Sequence, residues 1–306
     1  YEITYGDWSS DVCSSDLAEA AIAAVGPRIC GAAVTGAPEG RMNGAAMALC
    51  PNLEIVSSFG VGYDNIDFKY AAEHGIVVCN TPDVLTEEVA DTALGLLLST
   101  VRELPQAERY LRAGQWKSGI YPLTATLRNR TVGIVGLGRI GKAIARRLDG
   151  FLVPVVYHTR NPQPDLSYKH YPKLVDMARD VDTLIFITPG GPSTKHLLNA
   201  EVLDALGPDG IVINMSRGSV VDDAALIKAL RERKIYSAGL DVYPNEPDVP
   251  KEYLEMDHIV LFPHLGSGTV YTRQKMEQLV VDNLLAWKDG RAPLTPVPET
   301  PWPAKK

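Results

Sequence analysis

The stretch "TVGIVGLGRIGKAIARRL", Thr131 to Leu148, decides the fold. It opens with an apolar run that does not alternate with polar residues, the pattern of a strand buried on both faces in a parallel sheet. Gly136, Gly138 and Gly141 follow in GxGxxG spacing, and an amphipathic helix follows them. In a strand–turn–helix context each glycine serves a separate purpose. Gly136 permits the tight turn, Gly138 lets the backbone approach a pyrophosphate, and Gly141 lets the helix pack close. The phosphates then rest on the helix N-terminus, where Arg139 and Ile140 complete the candidate set.

Similar apolar runs recur on both sides of this unit. "CGAAVTG", "LEIVSSFG" and "GIVVCN" precede it, and "VPVVYH", "DTLIFIT", "GIVINMS", "YSAGLDVY" and "HIVLFP" follow, with amphipathic segments between them. The class is α/β with parallel sheets, and the strands fall into two groups. Between the groups "TEEVADTALGLLLSTV" reads as a long helix opened by Thr86, with Glu87 and Glu88 in the first turn. A late helix, "TVYTRQKMEQLVVDNLLAWKDG", and a Pro-rich tail return to the first group. The expected domains are 1–101 plus 268–306, a discontinuous substrate domain, around a dinucleotide-binding domain at 102–267.

The composition bounds the function. A chain of 306 residues is long enough for two domains. Its formal charge of −7 and the lack of a basic block argue against nucleic acid as a partner. No apolar run is long enough to span a membrane. Cys13, Cys30, Cys50 and Cys79 show neither CxxC pairing nor metal-type spacing with the histidines, so reduced thiols in a cytoplasmic protein and no metal site are expected. "GDWSSDVCSSDLAEA", near the start, has no periodicity of either kind, and we read the N-terminus as truncated or altered.

A second stretch, "VVYHTRNP" from Val155 to Pro162, bears on the cofactor. Dinucleotide sites usually carry an Asp or Glu about 20 residues beyond the glycines, on the ribose 2′-hydroxyl. Here His158, Thr159 and Arg160 stand in that place. A 2′-phosphate would be repelled by an acid and held by a guanidinium, so NADP is the expected cofactor, with Arg160 as its main partner and NAD possible.

Three polar stretches end consecutive strand-like runs, at the carboxyl side where open α/β sheets bind ligands. They are "NMSRGSVVDD" with Arg217, "GLDVYPNEP" with Asp241 and Glu246, and "FPHLGSGT" with His264 and Gly266. Together they offer a cation, carboxylates and an imidazole.

In order along the chain, "SSFGVGYDNID", "NTPDVLTEEVADTALGLLL", "VGIVGLGRIGKAIARRL", "INMSRGSVVDDAALIKAL", "AGLDVYPNEP" and "PHLGSGT" resemble the motifs of the D-isomer-specific 2-hydroxyacid dehydrogenase family, and within it the glyoxylate/hydroxypyruvate reductase branch. The resemblance runs from about Pro27 to the C-terminus. It implies a Rossmann-type, doubly wound parallel sheet inserted into a smaller flavodoxin-like α/β substrate domain. The implied reaction reduces a small 2-oxo acid to the D-2-hydroxy acid with hydride from nicotinamide C4. Arg217 would grip the carboxylate and polarise the carbonyl, His264 would give the proton, and Glu246 would pair with that imidazole. The backbone amides of Val61 and Gly62 would complete the carboxylate site. Asp241 would face the nicotinamide amide, Thr188 and Pro189 would run beside the adenosine, and Gly266 joins the cofactor set. The helix at 86–103 resembles the family's dimerisation element, which implies a homodimer. Two other readings stand beside this one: a reductase of larger aryl 2-oxo acids such as hydroxyphenylpyruvate, and a cofactor-sensing, corepressor-like binding protein.

Overall fold

The computed structural model describes residues 25–35 and 42–303, so the irregular segment near the start lies outside the described residues. The chain divides into two compact units, one formed by 1–84 with 273–306 and the other by 85–272.

The smaller unit holds β1 (Gly31–Thr35), α1 (Gly44–Ala48), β2 (Ile55–Phe59), α2 (Phe68–Glu73) and β3 (Val77–Cys79). Its strands pair in parallel in the order β1-β2-β3. The short helices start where side chains replace missing helical partners: Asn43 accepts from the Ala46 amide and Asp67 from the Tyr70 amide.

The larger unit begins with α3 (Thr86–Val101) and α4 (Leu104–Arg112). It continues with β4 (Val132–Val135), α5 (Arg139–Gly150), β5 (Val155–His158), β6 (Lys169–Tyr171), α6 (Leu174–Asp180), β7 (Thr183–Phe186) and α7 (Ala200–Leu206). Then come β8 (Ile211–Asn214), α8 (Asp223–Arg231), β9 (Ser237–Leu240), α9 (Lys251–Leu254) and β10 (Val260–Leu261). The helix α10 (Val270–Lys288) starts here and runs on into the smaller unit. The seven strands form one parallel sheet in the order β10-β9-β8-β7-β4-β5-β6. The chain winds outward from β4 to β6 and then returns past β4 to β7, so the order reverses between β4 and β7. That reversal opens the crevice in which such sheets bind ligands. Strands β4, β7, β8 and β9 are buried throughout, which is why they read as unbroken apolar runs.

The expected boundary at 101/102 moves to 84/85, and the reason is how α3 packs. Gly239 in β9 leaves no room for a side chain because Thr100 Oγ1 and Leu96 Cγ of α3 lie within 3 Å of where its Cβ would be. On the opposite flank Arg147 of α5 reaches Asp91 at 2.6 Å and Glu87 at 2.9 Å, and Arg146 reaches Glu87 at 2.6 Å. The helix starts at Thr86 as expected, but Thr86 makes no cap; the acids of the first turn favour the helix start instead. The second boundary falls at 272/273, inside α10, rather than at 267/268.

Candidate active site

The glycine turn has the shape its sequence demands. Gly136 adopts φ +98°, and a Cβ there would lie 2.9 Å from the Ile187 carbonyl oxygen. Gly141 lies so close to the turn that a Cβ would be 2.2 Å from the Gly136 oxygen. Gly138, by contrast, faces open space, and it starts α5 without a side-chain cap. Open space before an uncapped helix start is what an anion at that terminus needs. Thr188 stands over the same turn, and its hydroxyl is buried without a hydrogen-bond partner among the described residues. An orphaned buried hydroxyl at this place fits a bound dinucleotide, whose polar atoms would satisfy it.

Of the three residues expected to meet a 2′-phosphate, only Arg160 offers free donors. His158 Nδ1 lies 2.8 Å from the Tyr171 carbonyl, which makes Nδ1 the protonated nitrogen. The Thr159 hydroxyl donates to the Asn161 carbonyl at 2.6 Å. These two therefore shape the loop, while Arg160 is exposed and makes no hydrogen bond or ion pair among the described residues. Gln163 has a part that spacing did not reveal. Its side chain donates to the Leu137 carbonyl at 2.8 Å, and its amide donates to the Tyr157 hydroxyl at 2.8 Å. The loop that carries Arg160 is thereby tied to the glycine turn.

At the carboxyl ends of β8, β9 and β10 the structure brings the polar stretches together. Buried Asn214 accepts from the Ser216 amide and hydroxyl and donates to the Arg217 carbonyl, so the turn that presents Arg217 is pinned from beneath. Gly218 follows because nothing larger fits: a Cβ would be 2.0 Å from the Tyr243 carbonyl carbon. Glu246 Oε1 accepts from the Tyr243 amide at 2.9 Å, and Oε2 meets His264 Nδ1 at 2.6 Å.

Burial alone would raise the Glu246 carboxyl. The His264 hydrogen bond, the Tyr243 amide and the Arg217 charge outweigh it and hold the group below the usual carboxylate range. An ionised carboxylate only accepts, so Nδ1 carries the hydrogen of this pair and Nε2 is left to exchange a proton outward. His264 sits at φ +50°, a conformation held by its own amide donating to the Asp241 carbonyl at 2.9 Å. Asp241 adds a second hold, since its buried carboxylate accepts from the Leu265 amide at 2.6 Å and from the Gly266 amide at 2.9 Å. Burial pushes the Asp241 carboxyl up, and those two amides pull against it. In this fold Asp241 first of all secures the turn that carries His264, and Gly266 is part of that clamp.

In the smaller unit the Gly60 amide donates to Thr81 Oγ1 and the Val61 carbonyl accepts from Asn80. The amides of Val61 and Gly62 donate to nothing among the described residues. No group of three or more His, Cys, Asp or Glu suited to a metal ion occurs among the described residues.

The D-isomer specific 2-hydroxyacid dehydrogenase NAD binding domain matches residues 94–266, more than half of the chain. The chain belongs to the D-isomer-specific 2-hydroxyacid dehydrogenase family. It is 51% identical over 247 residues to glyoxylate/hydroxypyruvate reductase A of Arabidopsis thaliana, covering 81% of this chain and 79% of that protein. It is 47% identical to hydroxyphenylpyruvate reductase of Plectranthus scutellarioides, with the same two coverages, 81% and 79%. Among solved structures, the NADPH-dependent glyoxylate/hydroxypyruvate reductase of Sinorhizobium meliloti, in complex with NADP and malonate, superposes with a TM-score of 0.86. That match has 54% identity and covers 91% of this chain and 86% of the other. The dehydrogenase fold and the motif order read from the sequence agree with these matches.

Proposed function

We propose that the protein reduces a small 2-oxo acid, glyoxylate or hydroxypyruvate, to the D-2-hydroxy acid with NADPH. The observation that carries this reading is the Glu246–His264 pair, an imidazole whose free Nε2 is presented at the carboxyl edge of a dinucleotide-type sheet. The names of the Arabidopsis and Sinorhizobium relatives support the substrate class and the cofactor.

The bound cofactor would supply hydride from nicotinamide C4. The protein's own part is to bind and orient the oxo acid and to deliver a proton. Arg217 takes the carboxylate and polarises the carbonyl through its planar guanidinium. His264 Nε2 protonates the carbonyl oxygen as negative charge develops there, and Glu246 stabilises the imidazole while its proton is in place. Gly138, Arg139, Ile140, Thr188 and Pro189 border the cofactor, and Arg160 clamps the 2′-phosphate.

Initial rates with NADPH and NADH on glyoxylate and hydroxypyruvate test this reading. A clear NADPH preference is expected, and Arg160→Asp should reduce the NADPH/NADH ratio of kcat/KM by about tenfold to a hundredfold, the worth of one charge-assisted contact. Equal use of both cofactors by the wild-type protein would remove Arg160 from the account. The Plectranthus relative favours a second substrate reading, so 4-hydroxyphenylpyruvate belongs in the same assay. A higher kcat/KM for the aryl acid would move the assignment there. No turnover at all would favour the corepressor-like reading.

We also propose a homodimer in the cytoplasm. The helix expected to dimerise, α3, buries Ala93, Leu94, Leu96, Leu97 and Val101, so most of its apolar run serves the core. The exposed apolar surface lies just beyond it, with Trp116 65%, Ile120 82% and Leu123 98% exposed, which suits a partner surface. Size-exclusion chromatography with light scattering should give twice the chain mass, and a monomer would withdraw the dimer. The free thiols of Cys30, Cys50 and Cys79 support a reducing compartment, and no described helix is long and apolar enough to cross a membrane.

A further inference from the structure

The edge strand β6 does more than extend the sheet. It pairs in parallel with β5, with His170 opposite Tyr157 and Tyr171 opposite His158, and it also holds the loop that begins where β5 ends. The Tyr171 carbonyl accepts from His158 Nδ1 at 2.8 Å, and His170 Nε2 lies 2.9 Å from the Thr159 carbonyl. A carbonyl only accepts, so Nε2 carries the hydrogen of that pair. The imidazole is itself seated against the buried ring of Tyr157, with the ring centres 5.1 Å apart.

The loop is fastened at its far end too. Gln163 donates from its side chain to the Leu137 carbonyl and from its amide to the Tyr157 hydroxyl, each at 2.8 Å. Tyr157 thus serves both fastenings, with its ring against His170 and its hydroxyl on Gln163. Between them the Thr159 hydroxyl donates to the Asn161 carbonyl at 2.6 Å, and Pro162 and Pro164, on either side of Gln163, have φ fixed by their rings. Arg160 stands inside this braced stretch, exposed, with no hydrogen bond or ion pair among the described residues. The backbone is held on both sides of a cation whose own side chain is uncommitted.

We propose that His170 and Gln163 are positioning residues for the choice between NADPH and NADH: they hold the backbone of 159–163 so that Arg160 is presented to the 2′-phosphate. This rests on the NADPH reading above. An arginine on a loose loop would have to order both backbone and side chain on meeting the phosphate, and that ordering would offset part of the contact. With the backbone fixed beforehand, only the side chain is left to order. The gain falls on the one group that distinguishes the two cofactors, so loss of either fastening should weaken NADP+ more than NAD+ although Arg160 itself is intact.

The test measures the dissociation constants of NADP+ and NAD+ by calorimetry, without substrate, on the full chain. The variants are His170→Phe, which keeps a ring against Tyr157 but has no donor, His170→Gln, whose amide nitrogen can take the place of Nε2, and Gln163→Met. Each is made with Arg160 in place and in the Arg160→Met background. With Arg160 in place, His170→Phe and Gln163→Met should each lower the preference for NADP+ by about threefold to tenfold, the scale of ordering cost that a fixed loop avoids. His170→Gln should restore most of it. In the Arg160→Met background neither substitution should change the preference further, because the effect passes through that guanidinium. An unchanged preference, an equal loss for both cofactors, or the same loss without Arg160 would mean that His170 and Gln163 only hold the fold, and would overturn the proposal. A wild-type preference for NADP+ would in each of those cases leave the NADPH reading standing. If the wild-type protein bound the two cofactors equally, the NADPH reading and this proposal would fall together.

Discussion

Replacing His264 with asparagine should lower kcat for 2-oxo acid reduction by about a hundredfold to ten-thousandfold, the range over which a positioned proton donor acts. Asparagine is the substitution of choice because the position has φ +50°, which asparagine tolerates better than most residues. Its amide can still donate to Glu246, so the turn held by Asp241 stays in place while the transferable proton is lost. Cofactor binding, followed by nicotinamide fluorescence, should be little changed. A variant within tenfold of wild type in kcat would remove His264 from the proton-donor role. The partner carboxylate also sets an acid limit. Glu246 titrates below the ordinary value of 4.5 in the folded protein, so what its ionised form contributes to stability is present above the unfolded carboxyl's range and is lost as pH falls through the lower, folded value. Around neutral pH the pair is therefore intact.

The second large effect is expected at Arg217. Arg217→Gln should lower kcat/KM by about a hundredfold to a thousandfold, the usual loss when a donor to developing oxyanion charge is removed. Asn214 holds the turn through the Arg217 carbonyl, not through its side chain, so the backbone should keep its course. Arg217→Lys should recover little, because a point charge does not reproduce the two-pronged guanidinium. Steady-state kinetics on glyoxylate, with thermal unfolding as the folding control, checks both variants. A glutamine variant within fivefold of wild type would place the substrate elsewhere.

What the sequence made legible follows from what each residue has to do locally. Gly136 and Gly141 announce themselves because a Cβ at either would strike backbone, and the apolar strands because burial on both faces leaves no polar alternation. The edge strand β6, "KHY", leaves no such mark in the sequence because it lies at the border of the sheet, where a polar and partly exposed strand is normal. Asn214, Gln163 and the clamp made by Asp241 depend on hydrogen bonds to backbone atoms many residues away or around a turn, and spacing alone carries no trace of them. The boundary at 84/85 was hidden for a similar reason. A helix placed between two groups of strands can pack on either, and only the contact of Leu96 and Thr100 with Gly239 decides which.

The smaller unit also has a history in time. Its edge strand β3 is closed by residues far along the chain, with the Val297 amide donating to the Val78 carbonyl at 2.8 Å and the Val78 amide donating to Thr300 Oγ1 at 2.8 Å. As the chain leaves the ribosome, β1, β2 and β3 emerge early but wait for α10 and these later residues before their sheet is covered. The larger unit, continuous from 85 to 272, has all its parts sooner. The dinucleotide-type domain is thus in a position to fold first and hold the chain while the earlier strands remain unfinished, so cofactor present during synthesis would meet a ready site before the other unit is complete.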